Sequence, residues 1–362
     1  MKYFSMFSGI GGFELGIQRA SNKQSTQIKQ DGQRWNGNSD EVEHDVLPTS
    51  RESTLCVGYS EIDKYAIKVY ERQFNGHRNY GDATKINPTE LPDFDLLVGG
   101  FPCQAFSIAG KRNGFNDTRG TLFFDIARIL AEKRPRHLVL ENVKGLLSHD
   151  SGKTFQTILG VLSDLGYRVE WQVLNSKDFG VPQNRERVYF VGHLRGECGG
   201  KVFPITGTNS QDIKQLNNPT HSNDRVYGVD GVSPTLNTMQ GGNRQPFIAP
   251  AQWRRTEKGK AYRKESQKHG KDITPFGDGY RELVPKNSNI IGTITSQAIA
   301  KDSLMFEDTR IRRLTPLECE RLQGFPDNWT AGESDTQRYK MCGNAVTTNV
   351  VEAVMEGLLN EL

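Results

Sequence analysis

The sequence predicts an α/β protein: a doubly wound, mostly parallel sheet joined to a second, smaller, irregular β-rich domain. Three observations lead there. Short apolar runs alternate with amphipathic stretches from residue 2 to about 192, as in strand–helix units that cover both faces of a sheet. The first apolar run, "KYFSMF", passes through the glycine turn "SGIGG" straight into helical spacing, "FELGIQRA". After about 193 the alternation stops, and Gly, Asn, Gln, Ser, Thr and Pro dominate to about 308, with only short strand-like pieces.

In order along the chain, residues 2–7 read as the first strand. Residues 21–55 are polar and poor in apolar side chains, and read as a flexible insertion. "CVGYSEID" is the second strand and "KYAIKVYERQF" its helix. "DLLVGG" is a buried strand, and "RGTLFFDIARILAEKR" is apolar at helical spacing. "HLVLENV" and "KTFQTILGVLSDLG" form the next strand and helix, and "YRVEWQVLNS" and "RVYFVGHL" are further strands. In "LTPLECERLQGF", Thr315, the proline after it and Glu318 make a capping box. "NAVTTNVVEAVMEGLLNEL" is a final apolar helix, expected to return to the first domain. The domain reading is 1–192, 193–337, and the returning segment 338–362.

The chain has 362 residues, 25% of them charged and 35% hydrophobic, with a formal net charge of only +3. No global basic field announces nucleic acid, so charge placement must be read locally. The five cysteines, at 56, 103, 198, 319 and 342, contain no C-x-x-C pair. That argues against a disulfide framework and a metal site, and suits a reducing cytoplasm. No run reaches the ~20 apolar residues that span a bilayer.

Several residues stand where chemistry is done. Glycines 9, 11, 12 and 16 let backbone approach a ligand at a helix N-terminus. Glu61 ends the second strand, placed to bond ribose hydroxyls, and Asp82 in "YGDAT" is either an acceptor for an adenine amino group or a turn acid. Together they point to an adenosine-containing cofactor. In "DLLVGGFPCQAFSIAG" the strand stops at two glycines and Pro102 precedes Cys103, which is either a buried structural thiol or a nucleophile at a ligand-binding edge. Glu141 ends an apolar strand, where burial would raise its pKa; alternatively, with Asn142, it caps the next helix. Arg185 and Arg187 share a side if extended, and could hold Glu141 or a carbonyl. Residues 244–271 hold nine Lys or Arg against two acids, with Trp253 and Tyr262 interleaved, which suits a phosphate-binding surface. "PTLNTMQGGNRQPF" carries the donors and acceptors that base-edge readout needs.

As an ordered set, these pieces resemble the DNA cytosine-5 methyltransferases. The matching blocks are "FSGIGGFELG", "YSEIDKYA", "GDAT", "GGFPCQAFSIAG", "ENV", "GVPQNRERVYFVG", "RRLTPLECERLQGFPD" and "CGNAVTTNVV". The resemblance implies a Rossmann-like domain for S-adenosyl-L-methionine and a target-recognition domain after it. It implies that Phe7, Gly9, Gly11 and Gly12 line the cofactor pocket, that Glu61 takes the ribose, Ile62 the adenine face and Asp82 the adenine amino group, and that Asn344 braces the cofactor. Pro102 would position the nucleophile Cys103; Glu141 and Asn142 belong to the catalytic wall, and Arg185 or Arg187 would support Glu141 and the cytosine. Candidate DNA contacts are Gln104, Ser107, Lys111 and Arg112 in a closing loop, and Thr235, Leu236, Arg244, Arg254 and Arg255 in the second domain. The implied partner is double-stranded DNA, read by a monomer without metal or membrane in a bacterial or phage-infected cytoplasm, alongside a restriction endonuclease. Three other readings remain at this stage: an RNA cytosine-5 methyltransferase, a nucleotide-dependent oxidoreductase and a non-catalytic DNA binder.

Overall fold

A computed structural model describes residues 1–35, 54–102, 122–196, 200–207, 213, 215–216, 225–228, 231–236, 247–249, 251–267, 281–285 and 312–362. Among them the first half alternates as expected: β1 (Lys2–Met6), α1 (Gly12–Trp35), β2 (Leu55–Ser60), α2 (Lys64–Gln73), β3 (Leu96–Gly100), α3 (Leu122–Lys133), β4 (His137–Val143), α4 (Lys153–Asp164) and β5 (Tyr167–Asn175). The two-residue β6 (Gln183–Asn184) and the long β7 (Glu186–Leu194) follow.

One sheet takes the order β2-β1-β3-β4-β7-β5. The pairs from β2 to β4 are parallel, and β7 is antiparallel to both β4 and β5. The short link between β5 and β7 explains the reversal, since a parallel return needs a crossover of a dozen or more residues. Alternate side chains split the core into two layers. Phe4, Met6, Leu97, Leu138 and Leu140 face α3 and α4 through Phe123, Ile126, Leu130, Ile158 and Leu162. Tyr3, Leu96, Val98 and Val139 face the other way, onto Ile17 of α1 and onto Val350, Val354 and Leu358. The sheet is thus covered on both faces, as its near-continuous apolar strands require.

Residues 226–344 contribute β8 (Val226–Gly228), β9 (Ser233–Pro234), β10 (Phe247–Ala249), β11 (Ala251–Arg255), α5 (Glu257–Gln267), β12 (Arg281–Pro285), β13 (Arg312–Arg313), α6 (Pro316–Leu322) and α7 (Asp335–Asn344). β13, β10 and β8 form a small sheet, β11 pairs with β12, and β9 pairs with β6 of the first half. The capping box at Thr315 and Glu318 is present.

Two expectations needed adjustment. The sequence places a flexible insertion from residue 21, yet α1 continues to Trp35. Its extension is held from outside: Lys23 Nζ lies 2.5 Å from Glu352 and 2.7 Å from Glu356, and Gln24 donates to Leu359 O. Residues 36–53 lie outside the described residues. The single returning helix is α8 (Thr348–Asn360), separated from α7 by a break at 345–347. Thr347 gives α8 no side-chain cap; its hydroxyl instead donates to Gln323 Oε1 at 2.9 Å. α8 packs on α1 through Val350, Val351, Val354, Met355 and Leu358.

Candidate active site

The parallel register brings the carboxyl ends of β1, β3 and β4 to one edge, with Met6 opposite Gly99 and Gly100 opposite Glu141. Because β7 runs the other way, its first residues arrive at that same edge, with Arg187 opposite Val143. One end of the sheet therefore collects Phe7, Glu61, Pro102, Glu141 and Arg187.

The cofactor side of this edge is built on backbone. Phe7 is left-handed (φ 55°), as are Gly9 (55°) and Gly11 (87°). A Cβ on Gly11 would also collide with the Phe74 ring. Strain of this kind at a non-glycine residue persists only where the surroundings enforce it. The turn is pinned from three sides: Ser8 N donates to Ser60 O, Gly9 N donates to Glu61 Oε2 at 2.8 Å, and Trp329 Nε1 donates to Ile10 O at 2.9 Å. Glu61 Oε1 accepts from Ile62 N and Asp63 N, both at 2.8 Å. Ile62 is 72% exposed, an unusual placement for a large aliphatic side chain beside a core. Asp63 caps α2 and meets Lys340 Nζ of α7 at 2.6 Å. Asp82 accepts from Thr84 N and Oγ1 through Oδ1 alone, and its Oδ2 faces the exposed Lys85 at 3.7 Å. Asn344 is exposed at the end of α7.

The other side of the edge is built on buried charge. Glu141 is buried, and burial raises its pKa against the opposing pull of Arg187 and Arg185. Arg187 Nε lies 3.0 Å from Glu141 Oε1, yet that oxygen has no hydrogen-bond partner, so the contact is an ion pair without a well-aimed N–H. Gly100 leaves room for it: a Cβ there would come within 3.2 Å of Glu141 Oε2. Asn142 does not cap a helix. Its Nδ2 donates to Phe101 O at 2.9 Å and so ties the end of β4 to the Phe101-Pro102 step. Arg185, also buried, donates to Leu236 O, Gly343 O and Ala345 O.

Cys103, Gln104, Ser107, Lys111, Arg112 and Arg244 lie outside the described residues. Arg254 and Arg255 lie on β11, where the backbone alone is described. Thr235 is exposed and donates to Asn184 O, while Leu236 is buried in a small core with Ile248, Leu314, Leu322 and Cys342. Sequence reasoning missed Trp329, Lys340 and Gln183, which all act by long-range contacts. The only signal was their position inside matched blocks or beside them.

Compared with known families, residues 1–360 match the C-5 cytosine-specific DNA methylases. The chain belongs to that family. Among similar proteins, the type II methyltransferase M1.ScrFI of Lactococcus lactis subsp. cremoris is 38% identical over all of this chain and 78% of its own length. The type II methyltransferase M.NlaX of Neisseria lactamica is 36% identical over 98% of this chain and 95% of its own. The crystal structure of a Spodoptera frugiperda DNMT2 mutant superposes with a TM-score of 0.59 at 15% identity, covering 99% of both chains, and that likeness speaks to the fold.

As a C-5 cytosine-specific DNA methylase, the chain is a methyltransferase with S-adenosylmethionine as methyl donor. The cofactor side of the edge fits that molecule. Glu61 Oε2 takes one backbone N–H and keeps acceptor capacity for a ribose hydroxyl, Asp82 Oδ2 is an acceptor for an amino group, and exposed Ile62 offers an apolar ledge for a purine. Among the described residues, no helix is long and apolar enough to cross a membrane, and no group of three or more His, Cys, Asp and Glu could hold a metal ion.

Proposed function

We propose that the chain methylates carbon 5 of a cytosine swung out of duplex DNA, through a transient bond between Cys103 Sγ and ring carbon 6. The single observation that carries this reading is the pair of buried Glu141 with partly buried Arg187 at the sheet edge, tied through Asn142 to the Phe101-Pro102 step that leads into Cys103.

Carbon 5 of cytosine is a poor nucleophile on its own. Addition of the Cys103 thiolate to carbon 6 forms an S–C bond and pushes the ring electrons toward carbon 5, while ring nitrogen 3 takes a proton. Glu141 in its acid form supplies that proton, and burial keeps the acid populated nearer neutral pH. Arg187 holds the Glu141 carboxyl in place and compensates the charge left when the proton has gone. S-adenosylmethionine, which Glu61, Ile62 and Asp82 would hold, supplies an electrophilic methyl group, which carbon 5 takes with loss of the neutral thioether. A base, for which a water suffices, then removes the proton on carbon 5, the S–C bond breaks to free the Cys103 thiolate, and the proton on nitrogen 3 returns to Glu141. A stacked base cannot reach a thiol in a cleft, so the nucleotide is extruded at a cost of a few kcal/mol. Residues 193–337 act as the target-recognition part, with the basic 244–271 stretch on phosphates. The relatives named type II methyltransferases support pairing with a restriction endonuclease of the same specificity.

The test is a 5-fluorocytosine duplex, which blocks release, incubated with the full-length protein and labelled cofactor. A covalent adduct mapping to Cys103, absent in Cys103→Ser, is the expected result. An adduct elsewhere, or methylation by Cys103→Ser, overturns the mechanism. Transfer to RNA but not to duplex DNA overturns the substrate.

A further inference from the structure

One buried glutamine joins segment 182–185 to 233–236 through its amide oxygen and to 322–323 through its amide nitrogen. Gln183 Oε1 accepts from Leu236 N at 3.0 Å, while its Nε2 donates to Leu322 O at 2.7 Å and to Gln323 Oε1 at 3.3 Å. Its amide orientation is therefore dictated, since a flip would set oxygen against two acceptors and N–H against N–H. Leu236 is gripped on its other side too, by Arg185 Nη1 on its carbonyl at 3.2 Å. Ser233 N donates to Pro182 O, Thr235 Oγ1 donates to Asn184 O, and β6 pairs with β9. Gln323 carries the network onward: its Nε2 donates to Cys342 O and its Oε1 accepts from Thr347, whose hydroxyl also meets Ser176.

A network this deeply buried is either satisfied or broken, because each lost partner leaves a desolvated polar group. A shift of 233–236 would therefore break these bonds unless 183–185 moved with it. Two residues further on, Arg187 faces Glu141. We propose that Gln183 is a positioning residue that couples the seating of the 233–236 segment to the Glu141–Arg187 pair, so that chemistry proceeds fast only when the reading domain is docked on its own target sequence. This rests on the reading of residues 193–337 as the DNA-reading part.

The experiment compares full-length wild type, Gln183→Glu and Gln183→Ala. Bisulfite sequencing of DNA methylated by wild type first identifies the target. Single-turnover rates are then measured on the target duplex and on duplexes changed at one flanking base pair. Both variants are expected to lose about tenfold or more in rate on the target, with little change on altered duplexes, so that discrimination shrinks by about the same factor. Cofactor KM and duplex Kd should stay within about threefold of wild type. Equal loss on both duplexes, as a merely structural role would give, or no loss at all, overturns the coupling. If neither variant folds, hydrogen exchange on wild type decides: the target duplex, but not an altered one, should slow exchange in 182–187 as well as in 233–236. Protection confined to 233–236 overturns the proposal. A wild type that methylates no duplex DNA would instead sink the functional reading, which separates the two failures.

Discussion

Glu61 and Glu141 end strands of the same sheet at the same edge, yet they are held in opposite ways. Glu61 takes three backbone N–H groups, from Gly9, Ile62 and Asp63. Glu141 is buried with one guanidinium and with no N–H on its Oε1. The first arrangement orients the carboxyl through backbone donors. The second penalises ionisation. On the proposed reading, environment more than residue type divides the labour between two identical side chains.

The sharpest way to break this contrast is Glu141→Gln. Its turnover should fall by roughly 10²- to 10⁴-fold with cofactor KM little changed. In wild type, turnover should decline as pH rises through the raised pKa of Glu141, because the active form is the acid. A Glu141→Gln variant of wild-type speed, or one whose loss lies in cofactor KM, would abolish the distinction.

Arg187→Ala should come next, since above its raised pKa it leaves the Glu141 carboxylate as an uncompensated buried charge. About 3 kcal/mol of stability should be lost. Adding Glu141→Gln to it should restore much of the melting temperature, and simple additivity of the two losses would count against the ion pair.

A third acid, Glu14, has no cation paired with it among the described residues. Glu14 is fully buried and accepts from Tyr70 Oη at 3.1 Å, and burial pushes it up to about 7 from an ordinary 4.5. The folded state therefore binds its proton more tightly than the unfolded chain does. Stability should be greatest below about 4.5 as far as this group is concerned, and should fall as pH rises to about 7. The total is about 3 kcal/mol. Glu14→Gln should flatten that stretch of the stability curve in chemical denaturation, and an unchanged slope would refute the assignment.

Glu61→Gln should mirror Glu141→Gln. We expect cofactor KM to rise about tenfold or more with kcat within a few-fold, by initial rates at saturating DNA. The smallest effect belongs to Lys340→Ala. Its half-exposed pair with Asp63 is worth about 0.2–1 kcal/mol, so cofactor KM should rise only a few-fold. A larger rise would make α7 a principal support of the cofactor loop.

Much of this edge was legible from residues in a row. The strand–turn–helix around Phe7 to Gly16 announced a tight turn, because Gly9 and Gly11 take a left-handed backbone that glycine adopts freely and strands show themselves as apolar runs, while the left-handed Phe7 carried no such signal. Glu61 and Glu141 were readable as acids at strand ends and the capping box at Thr315 as a helix start, whereas Asp82, expected after the third strand, instead precedes β3 and caps a short 3-10 turn. Which arginine meets Glu141 was not readable. "R-E-R" offers two candidates of equal spacing, and only the antiparallel placement of β7 beside β4 chose Arg187 and sent Arg185 to the carbonyls of Leu236, Gly343 and Ala345. The extension of α1 to Trp35 was hidden too, since polar composition predicted a loop; partners on α8 hold its first part, at Lys23 and Gln24.

By itself, then, the sequence determined the order of elements, the turn chemistry and the set of acids at the strand ends, because these depend on local propensity and on periods of two and 3.6 residues. The tertiary structure alone decided which of those acids is buried with its pKa raised and which arginine pairs with it. Those outcomes depend on burial and on contacts between residues far apart in the chain, which no local pattern encodes.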